Sequence, residues 1–364
     1  MEVVKHNKIT QEVSAISGMI PVLAYDMIIT DKNVAVKPLE DVSSSGRKNP
    51  WNEKKLENLK LADVYQYISD HTQCGWYWER KAGRLRDCST TLLFDLMAHR
   101  ETGEVKKRLA GANFCRVRLC PMCGWRRARK TQAQMYQILQ ACENQYRFLF
   151  LTLTVPNCTG ADLSQTLDDL FSAWHRLQRA PEFKWINQNG GWYRALEVTH
   201  NLRDDSFHPH FHVVLAVTPE YFKTYYTTHD RFLEMWRKAY QDDHITQVDI
   251  RAVRAAGKKP ENIMKAVAEC CKYTVKPGQI LVPENMQWSA EMVQVLDLAL
   301  HKRRLVAFGG VLKKIHAALH LDDPIDGDIA SAGDVPDGWE KIDMQQVYVW
   351  HSGYSQYIAA AESN

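Results

Sequence analysis

The 364-residue chain has no uninterrupted apolar run near the roughly 20 residues of a membrane span, no cleavable signal sequence and no Gly-x-x-x-x-Gly-Lys-Ser/Thr loop. From the first two absences a cytoplasmic chain with no membrane partner is expected. The third excludes phosphate-loop nucleotide hydrolysis. The early stretch Met19-Ile-Pro-Val-Leu-Ala-Tyr-Asp26 is too short to span a bilayer and is broken by Pro21.

Acidic residues are also missing between Lys106 and Lys130, a segment that carries Lys106, Lys107, Arg108, Arg116, Arg118, Arg126, Arg127, Arg129 and Lys130. The opposite imbalance lies near the end, where Asp322, Asp323, Asp326, Asp328, Asp334, Asp337, Glu340 and Asp343 face Lys341 alone. The net charge of +3 hides both. The basic segment implies a polyanionic partner, with a merely solvated charged face as the plain alternative. With 45% hydrophobic and 24% charged residues, the chain is otherwise an ordinary globular one, long enough for two or three domains.

What is present centres on Phe207-His-Pro-His-Phe-His-Val-Val-Leu-Ala-Val217. Side chains alternate along a strand, so His208, His210 and His212 share one face while Phe211, Val213 and Leu215 face a core. Two histidines separated by one hydrophobe reach a single divalent ion and leave coordination positions open for substrate. Pro209 suits an edge strand or a strand start. The run Trp192-Tyr-Arg-Ala-Leu-Glu-Val-Thr199 is a second strand, linked by Asn201 to Ser206 at hairpin length, so Glu197 faces the His row across the ladder. Glu197 is therefore either a third metal ligand or a surface carboxylate. Arg147-Phe-Leu-Phe-Leu-Thr-Leu-Thr-Val155 is a further strand, and Thr246 to Val253 another.

Cysteines mark a second centre. Cys120-x-x-Cys123 is a tight turn ending in Gly124, Cys115 precedes it by five residues, and Cys88 supplies a fourth ligand, with Cys74 as its alternate. Four thiolates imply structural zinc rather than a disulfide or a redox pair. Directly after it, Trp125-Arg-Arg-Ala-Arg-Lys130 opens a helix through about Cys142, which places Arg116, Arg118, Arg126, Arg127, Arg129 and Lys130 to grip phosphates.

Helical spacing appears at Leu56, Leu59, Leu61, Val64, Tyr65 and Ile68, from Leu163 to Leu177, and in a helix carrying Phe222, Tyr225, Phe232 and Trp236. A last helix, Glu261 to Lys276, sets Glu269, Tyr273 and Lys276 at i, i+4 and i+7 on one face. Ser43-Ser-Ser-Gly-Arg-Lys-Asn-Pro50 reads as a linker.

Three motifs in order, Phe150-Leu-Thr-Leu-Thr-Val-Pro-Asn157, His208-Pro-His-Phe-His-Val-Val-Leu215 and Glu269-Cys-Cys-Lys-Tyr-Thr-Val-Lys276, together resemble the replication initiator (Rep) proteins of small rolling-circle plasmids. These belong to the His-hydrophobe-His (HUH) endonuclease superfamily, here the subclass with one Tyr and a Glu four residues earlier. The resemblance extends over the cysteine segment Asn113 to Arg127 and over Lys302-Arg-Arg-Leu-Val-Ala-Phe-Gly-Gly310.

The resemblance implies an α+β fold, an antiparallel-sheet HUH core related to the RNA-recognition and ferredoxin-like folds, with an N-terminal zinc-binding segment. Composition, pattern and motifs together divide the chain into a flexible extension (1–50), a zinc-binding, DNA-contacting segment (51–142), a nicking core (143–278) and a helical C-terminal region with an acidic tail (279–364), the extension and the tail lying outside the resemblance. The resemblance implies that His210 and His212 hold Mg2+ or Mn2+, and that Tyr273 attacks a phosphodiester to give a 5′-phosphotyrosine and a free 3′-OH. Lys276 would ease the charge on phenolate and phosphate, and Glu269 would serve a second, hydrolytic cut. The implied partners are plasmid origin DNA, as a single-stranded or cruciform nick site, and host helicase and polymerase. Related transposases usually carry two tyrosines on this helix, where the chain has Tyr273 alone. A zinc deaminase would need His-x-Glu ahead of Pro-Cys-x-x-Cys, which is missing, and a non-catalytic zinc-containing DNA-binding protein is the reading without an enzyme.

Overall fold

Alternating β-branched and aromatic runs form two antiparallel sheets. The computed structural model of the chain describes residues 37–43, 46–73, 75–253, 267–268, 270–271, 274–282, 284–330 and 338–360. It divides into one unit of residues 1–126 with 329–364 and a second of residues 127–328. The mixed α and antiparallel β architecture expected from the sequence is what the chain adopts.

In the first unit, α1 (Trp51–Asp70) and α2 (Gly75–Asp87) precede the hairpin β1 (Thr91–His99) and β2 (Val105–Ala112). Leu92, Phe94 and Leu96 of β1 point inward, and Trp51 meets Phe94 and Trp125 edge to face at 5.8 and 4.6 Å. The buried stripe of α1 departs from the expected one. Leu56 is exposed, whereas Lys55 and Asn58 are fully buried because their side chains satisfy backbone carbonyls at the end of α2.

The C-terminal region is not simply helical. The strands β8 (Trp339–His351) and β9 (Gln356–Ala359) complete the first sheet in the order β2-β1-β8-β9, with Asp95 opposite Gln345. Its acidic composition obscured the alternation in Ile342 to Trp350. The Tyr357 hydroxyl donates to the Ser89 carbonyl at 2.7 Å and anchors β9. Residues 37–43 are not a detached extension either, since Leu39 N–H donates to the Tyr357 carbonyl. Residues 1–36, Cys74, Glu269 and Tyr273 lie outside the described residues.

The helix α3 (Pro121–Cys142) begins earlier than the Cys-x-x-Cys turn suggested, with Pro121 in its first position, where a missing N–H costs nothing. The boundary between the units falls at 126/127 rather than at 142.

The second unit is built on the sheet β6-β3-β5-β4-β7, all antiparallel, from β3 (Arg147–Thr154), β4 (Gly191–Asn201), β5 (Ser206–Val217), β6 (Val248–Val253) and β7 (Val306–Gly309). The His strand β5 is central, not an edge. Pro209 is tolerated there because it sits past the last β3 pairing, at His210 with Thr154. Its partner across β4, Val198, sends its N–H away to the Thr274 carbonyl, so the pair is a non-hydrogen-bonded one and the Pro209 nitrogen faces the gap beyond β3.

Both faces of this sheet are covered. On one, Phe150, Tyr193 and Val214 pack with Met135, Ile138 and Leu139 of α3, with Cys270 and Cys271, and with Leu312 of α8 (Gly310–Ala318). On the other, Phe211 meets Phe171 and Trp174 of α4 (Leu163–Leu177) at 5.3 and 5.9 Å. The α5 helix (Pro181–Asn189) precedes β4, α6 (His229–Tyr240) precedes β6 and α7 (Met286–Ala299) precedes β7. Phe222 and Tyr225 fall before α6, which starts only after its N-cap Thr228 accepts from Arg231 N–H.

Candidate functional site

The ladder brings three ligand-type side chains together. Glu197 is directly opposite His210, and His212 lies one pleat further on the same face. Glu197 Oε2 is 2.9 Å from His212 Nε2 and 3.6 Å from His210 Nε2, and the two Nε2 atoms are 3.2 Å apart. All three residues are buried. The sequence reading of Glu197 as facing the histidines is thus met, and the burial excludes a simple surface carboxylate.

The outer nitrogens are held from behind. His210 Nδ1 donates to the His208 carbonyl at 3.1 Å, which fixes the ring with Nε2 toward Glu197 and His212. His212 Nδ1 is 3.4 Å from Thr152 Oγ1 on β3. Burial works to raise the Glu197 pKa, but hydrogen bonds from His210 and His212 outweigh it and hold the carboxyl well below the usual carboxylate range. Two imidazoles and an ionised carboxylate are a donor set that accepts a divalent cation.

His208 does not join this cluster. Its Nδ1 is 2.7 Å from Asn157 Oδ1, and Asn157 in turn donates to Ser206 Oγ at 2.9 Å. Burial, then the neighbouring His210, lowers the His208 pKa. The first and second sequence motifs therefore meet through Asn157 and His208, a contact that their spacing does not reveal.

Lys276 reaches the site by another route than expected. Helical backbone is described at 267–268 and 270, but Lys276 is extended (φ −83°, ψ 126°) because Pro277 follows it and disfavours the helical region. The Thr274 carbonyl instead accepts from Val198 N–H at 2.8 Å, which ties this segment to β4. Lys276 Nζ lies 3.6 Å from Glu197 Oε1, the carboxylate oxygen turned away from the histidines. The expected stripe of Glu269, Tyr273 and Lys276 on a continuous helix is therefore replaced at Lys276, while Glu269 and Tyr273 lie outside the described residues.

In the first unit the four sulfurs of Cys88, Cys115, Cys120 and Cys123 converge, buried, with Cys88 3.7 Å from Cys120 and from Cys123, and Cys115 3.7 Å from Cys123. A tetrahedral zinc with sulfur ligands requires sulfur separations of about 3.8 Å. Backbone N–H groups of Cys115, Arg116, Val117 and Cys123 donate to these sulfurs at 3.3–3.4 Å, the last from the first turn of α3, where the helix favours negative charge. Burial pushes the Cys115 and Cys120 thiols well above the ordinary range.

Lys55 is the residue that sequence reasoning missed. Fully buried, it donates to the carbonyls of Arg86 and Cys88 at 2.8 and 2.6 Å. Burial lowers its pKa against the pull of Cys88, Cys120 and Cys115. A lysine inside a helix stripe, near Cys88, Cys115 and Cys120, would be a counter-charge to these groups once they ionise.

The basic residues divide. Arg126 is buried and donates to the Ile329 and Ala330 carbonyls at 3.1 and 2.5 Å, and Lys130 is buried against Asp322 at 2.7 Å. Neither presents its charge to a phosphate. Arg116 is exposed, and Arg118, Arg127 and Arg129 are partly buried. No helix among the described residues is long and apolar enough to cross a membrane.

Residues 106–358 match the family model described as "Replication protein". The chain is 34% identical over 338 residues to the "Protein rep" of Bacillus amyloliquefaciens, covering 88% of this chain and 96% of that protein. It is 34% identical over 328 residues to the "Protein rep" of Streptococcus pneumoniae serotype 2, with 88% and 95% covered. The "Protein rep" of Lactiplantibacillus plantarum is 35% identical over 303 residues, with 81% and 90% covered. No solved structure matches the chain.

Proposed function

The chain belongs to the replication protein family, and from that premise we propose that it initiates rolling-circle replication of a plasmid by nicking and joining one strand at the origin. The observation that carries this reading is the meeting of Glu197, His210 and His212 on one sheet face with Lys276 beside them. In this reading the second unit is an HUH nuclease core.

His210, His212 and Glu197 would hold Mg2+ or Mn2+. When bound, such an ion supplies Lewis-acid polarisation of a phosphate oxygen. The chain's own residues do the rest. The Tyr273 oxygen bonds to phosphorus, the bond from phosphorus to the 3′ oxygen breaks, and the 3′-OH leaves with the proton. A phenol of pKa about 10 needs help at neutral pH, and the Lys276 ammonium lowers the cost of the phenolate. The His208 carbonyl orients the His210 imidazole and Thr152 that of His212. Glu269 would take a proton from water for the terminating cut.

The four cysteines would hold structural zinc, since four thiolates close the coordination shell. Arg116 and Arg118 of the first unit, and Arg127 and Arg129 of the second, would contact DNA phosphates. Host helicase and polymerase would act on the freed 3′ end.

The test is nicking of supercoiled plasmid carrying the cognate origin, with Mn2+ and without. Relaxed circles bearing covalently bound protein at the 5′ end are expected. Intact supercoils under all metal conditions would overturn the reading in favour of a non-catalytic DNA-binding protein.

A further inference from the structure

In the first unit the helix α2 packs by one side only. Trp78, Ala82 and Leu85 are buried, Trp78 against Tyr65 of α1 at 5.8 Å, while Trp76, Arg80, Gly83 and Arg84 recur at the spacing of the opposite side. All four lie outside the acid-free basic stretch from Lys106 to Lys130.

The side chains of this stripe face solvent. Trp76 is 69% exposed, and among the described residues its ring meets only the neighbouring Tyr77, edge to face at 6.2 Å. Arg80 is exposed and makes no hydrogen bond or ion pair among the described residues. The cations off the stripe are engaged, Lys81 with the Tyr77 hydroxyl at 2.6 Å and Arg86 with Asp63 at 3.5 Å. Arg84 is exposed and donates to the Cys115 carbonyl, which carries the stripe to the exposed Arg116 that follows. Asp87 closes it at the C-terminal end.

Gly83 is its least expected member. Glycine costs a helix interior about 1 kcal/mol relative to alanine. Nothing lies within 4 Å of where its Cβ would stand, so no packing contact in the chain requires it. What it supplies is uncovered helix backbone beside Arg80 and Arg84.

Such a stripe suits a polyanion that carries flat groups. Guanidinium forks take phosphate oxygens, and an indole face takes a base that is free of its own stack. In a duplex the bases cover one another and show only their edges, so the open face of Trp76 selects an unpaired strand. From Trp76 to Arg84 the stripe runs about 12 Å at 1.5 Å per residue, enough for more than one phosphate.

We propose that α2 holds single-stranded DNA, the strand passing over Gly83 with phosphates on Arg80 and Arg84 and one unpaired base stacked on Trp76. The proposal rests on the preceding reading only in taking DNA as the partner.

The test titrates the full chain, without added Mn2+, into fluorescein-labelled (dT)20 and into a blunt duplex of the same length, with anisotropy read across a salt series. Trp76→Ala and Gly83→Gln are expected to weaken (dT)20 binding about fivefold or more, with Trp76→Phe close to the unsubstituted chain. Arg80→Ala should lower the single-strand salt slope by about 0.7. Lys313→Ala, which removes an exposed charge from α8, should change neither. The substituted positions pack against nothing, so the variants should fold, and circular dichroism and melting temperature check that they do. Unaltered (dT)20 binding in Trp76→Ala and Arg80→Ala overturns the proposal, and so does an equal loss on the duplex. Nicking of cognate supercoiled plasmid by the unsubstituted chain is scored separately. Nicking together with variant-insensitive binding overturns this proposal alone, whereas variant-sensitive binding without nicking supports it and overturns only the nicking reading.

Discussion

Glu197 Oε2 lies 2.9 Å from His212 Nε2 across the β4–β5 ladder, a contact made by strand register rather than by a loop. Ligands fixed by register are pre-oriented, so losing one removes affinity without displacing the others. Glu197→Gln, His210→Ala and His212→Ala are each expected to weaken Mn2+ binding by roughly tenfold or more and to abolish nicking, with origin binding largely retained. Calorimetry with Mn2+ and a gel-shift assay check both halves. His208→Ala should be milder, since His208 faces Asn157; full inactivity there would make it a ligand.

Tyr273→Phe should lose both nicking and the covalent adduct, because no other oxygen replaces the nucleophile. Glu269→Ala should still nick and form the adduct yet fail to terminate, giving over-length plasmid multimers. Unit-length circles from that variant would remove Glu269 from the second cut. Both products are read on denaturing gels.

The cysteine cluster should hold about one zinc per chain, lost in Cys120→Ser. The pH dependence has a definite sign. Burial raises the Cys115 and Cys120 thiols, so the metal-free site is protonated at neutral pH, zinc uptake releases protons, and falling pH drives zinc out. Zinc release into a chromogenic chelator during acid titration measures it. Lys55→Met should loosen zinc by roughly tenfold through loss of the counter-charge, with nicking assayed separately.

Charge and location make different predictions for the basic residues. Arg126→Ala should cost roughly 2–4 kcal/mol of stability, by removing a buried guanidinium and its hydrogen bonds to two carbonyls, with little change in the salt dependence of DNA binding. Lys130→Met should cost less, roughly 1 kcal/mol, because its partner Asp322 is half exposed. Arg116→Ala should do the reverse, leaving stability intact and lowering the salt slope by about one. Urea melts and salt-titrated binding separate the two classes.

Much of the site was legible because it is local. Cys120-x-x-Cys123 and His210-x-His212 carry their geometry in their spacing, and the short link from Asn201 to Ser206 places Glu197 opposite His210. Other parts depend on distant partners. The β8 strand pairs with β1, Gln345 against Asp95, and nothing near residue 345 announces that partner. Lys55 and Lys130 read as surface cations because sequence shows a charge but not the carbonyl or carboxylate that receives it. The stripe through Lys276 ignored the restriction that Pro277 places on the residue before it.

The first unit is closed by strands at positions 339–359, although the four clustered cysteines lie between 88 and 123. During synthesis its sheet stays half built while residues 127–328 leave the ribosome, roughly 10–40 s at ordinary elongation rates. For that interval β1 presents one unpaired edge, and the thiols sit in an unfinished domain. A stop codon or proteolytic cut near residue 338 would therefore remove half the strands of this sheet while leaving the second unit's sequence whole, separating a nascent-chain hazard at one centre from the chemistry at the other.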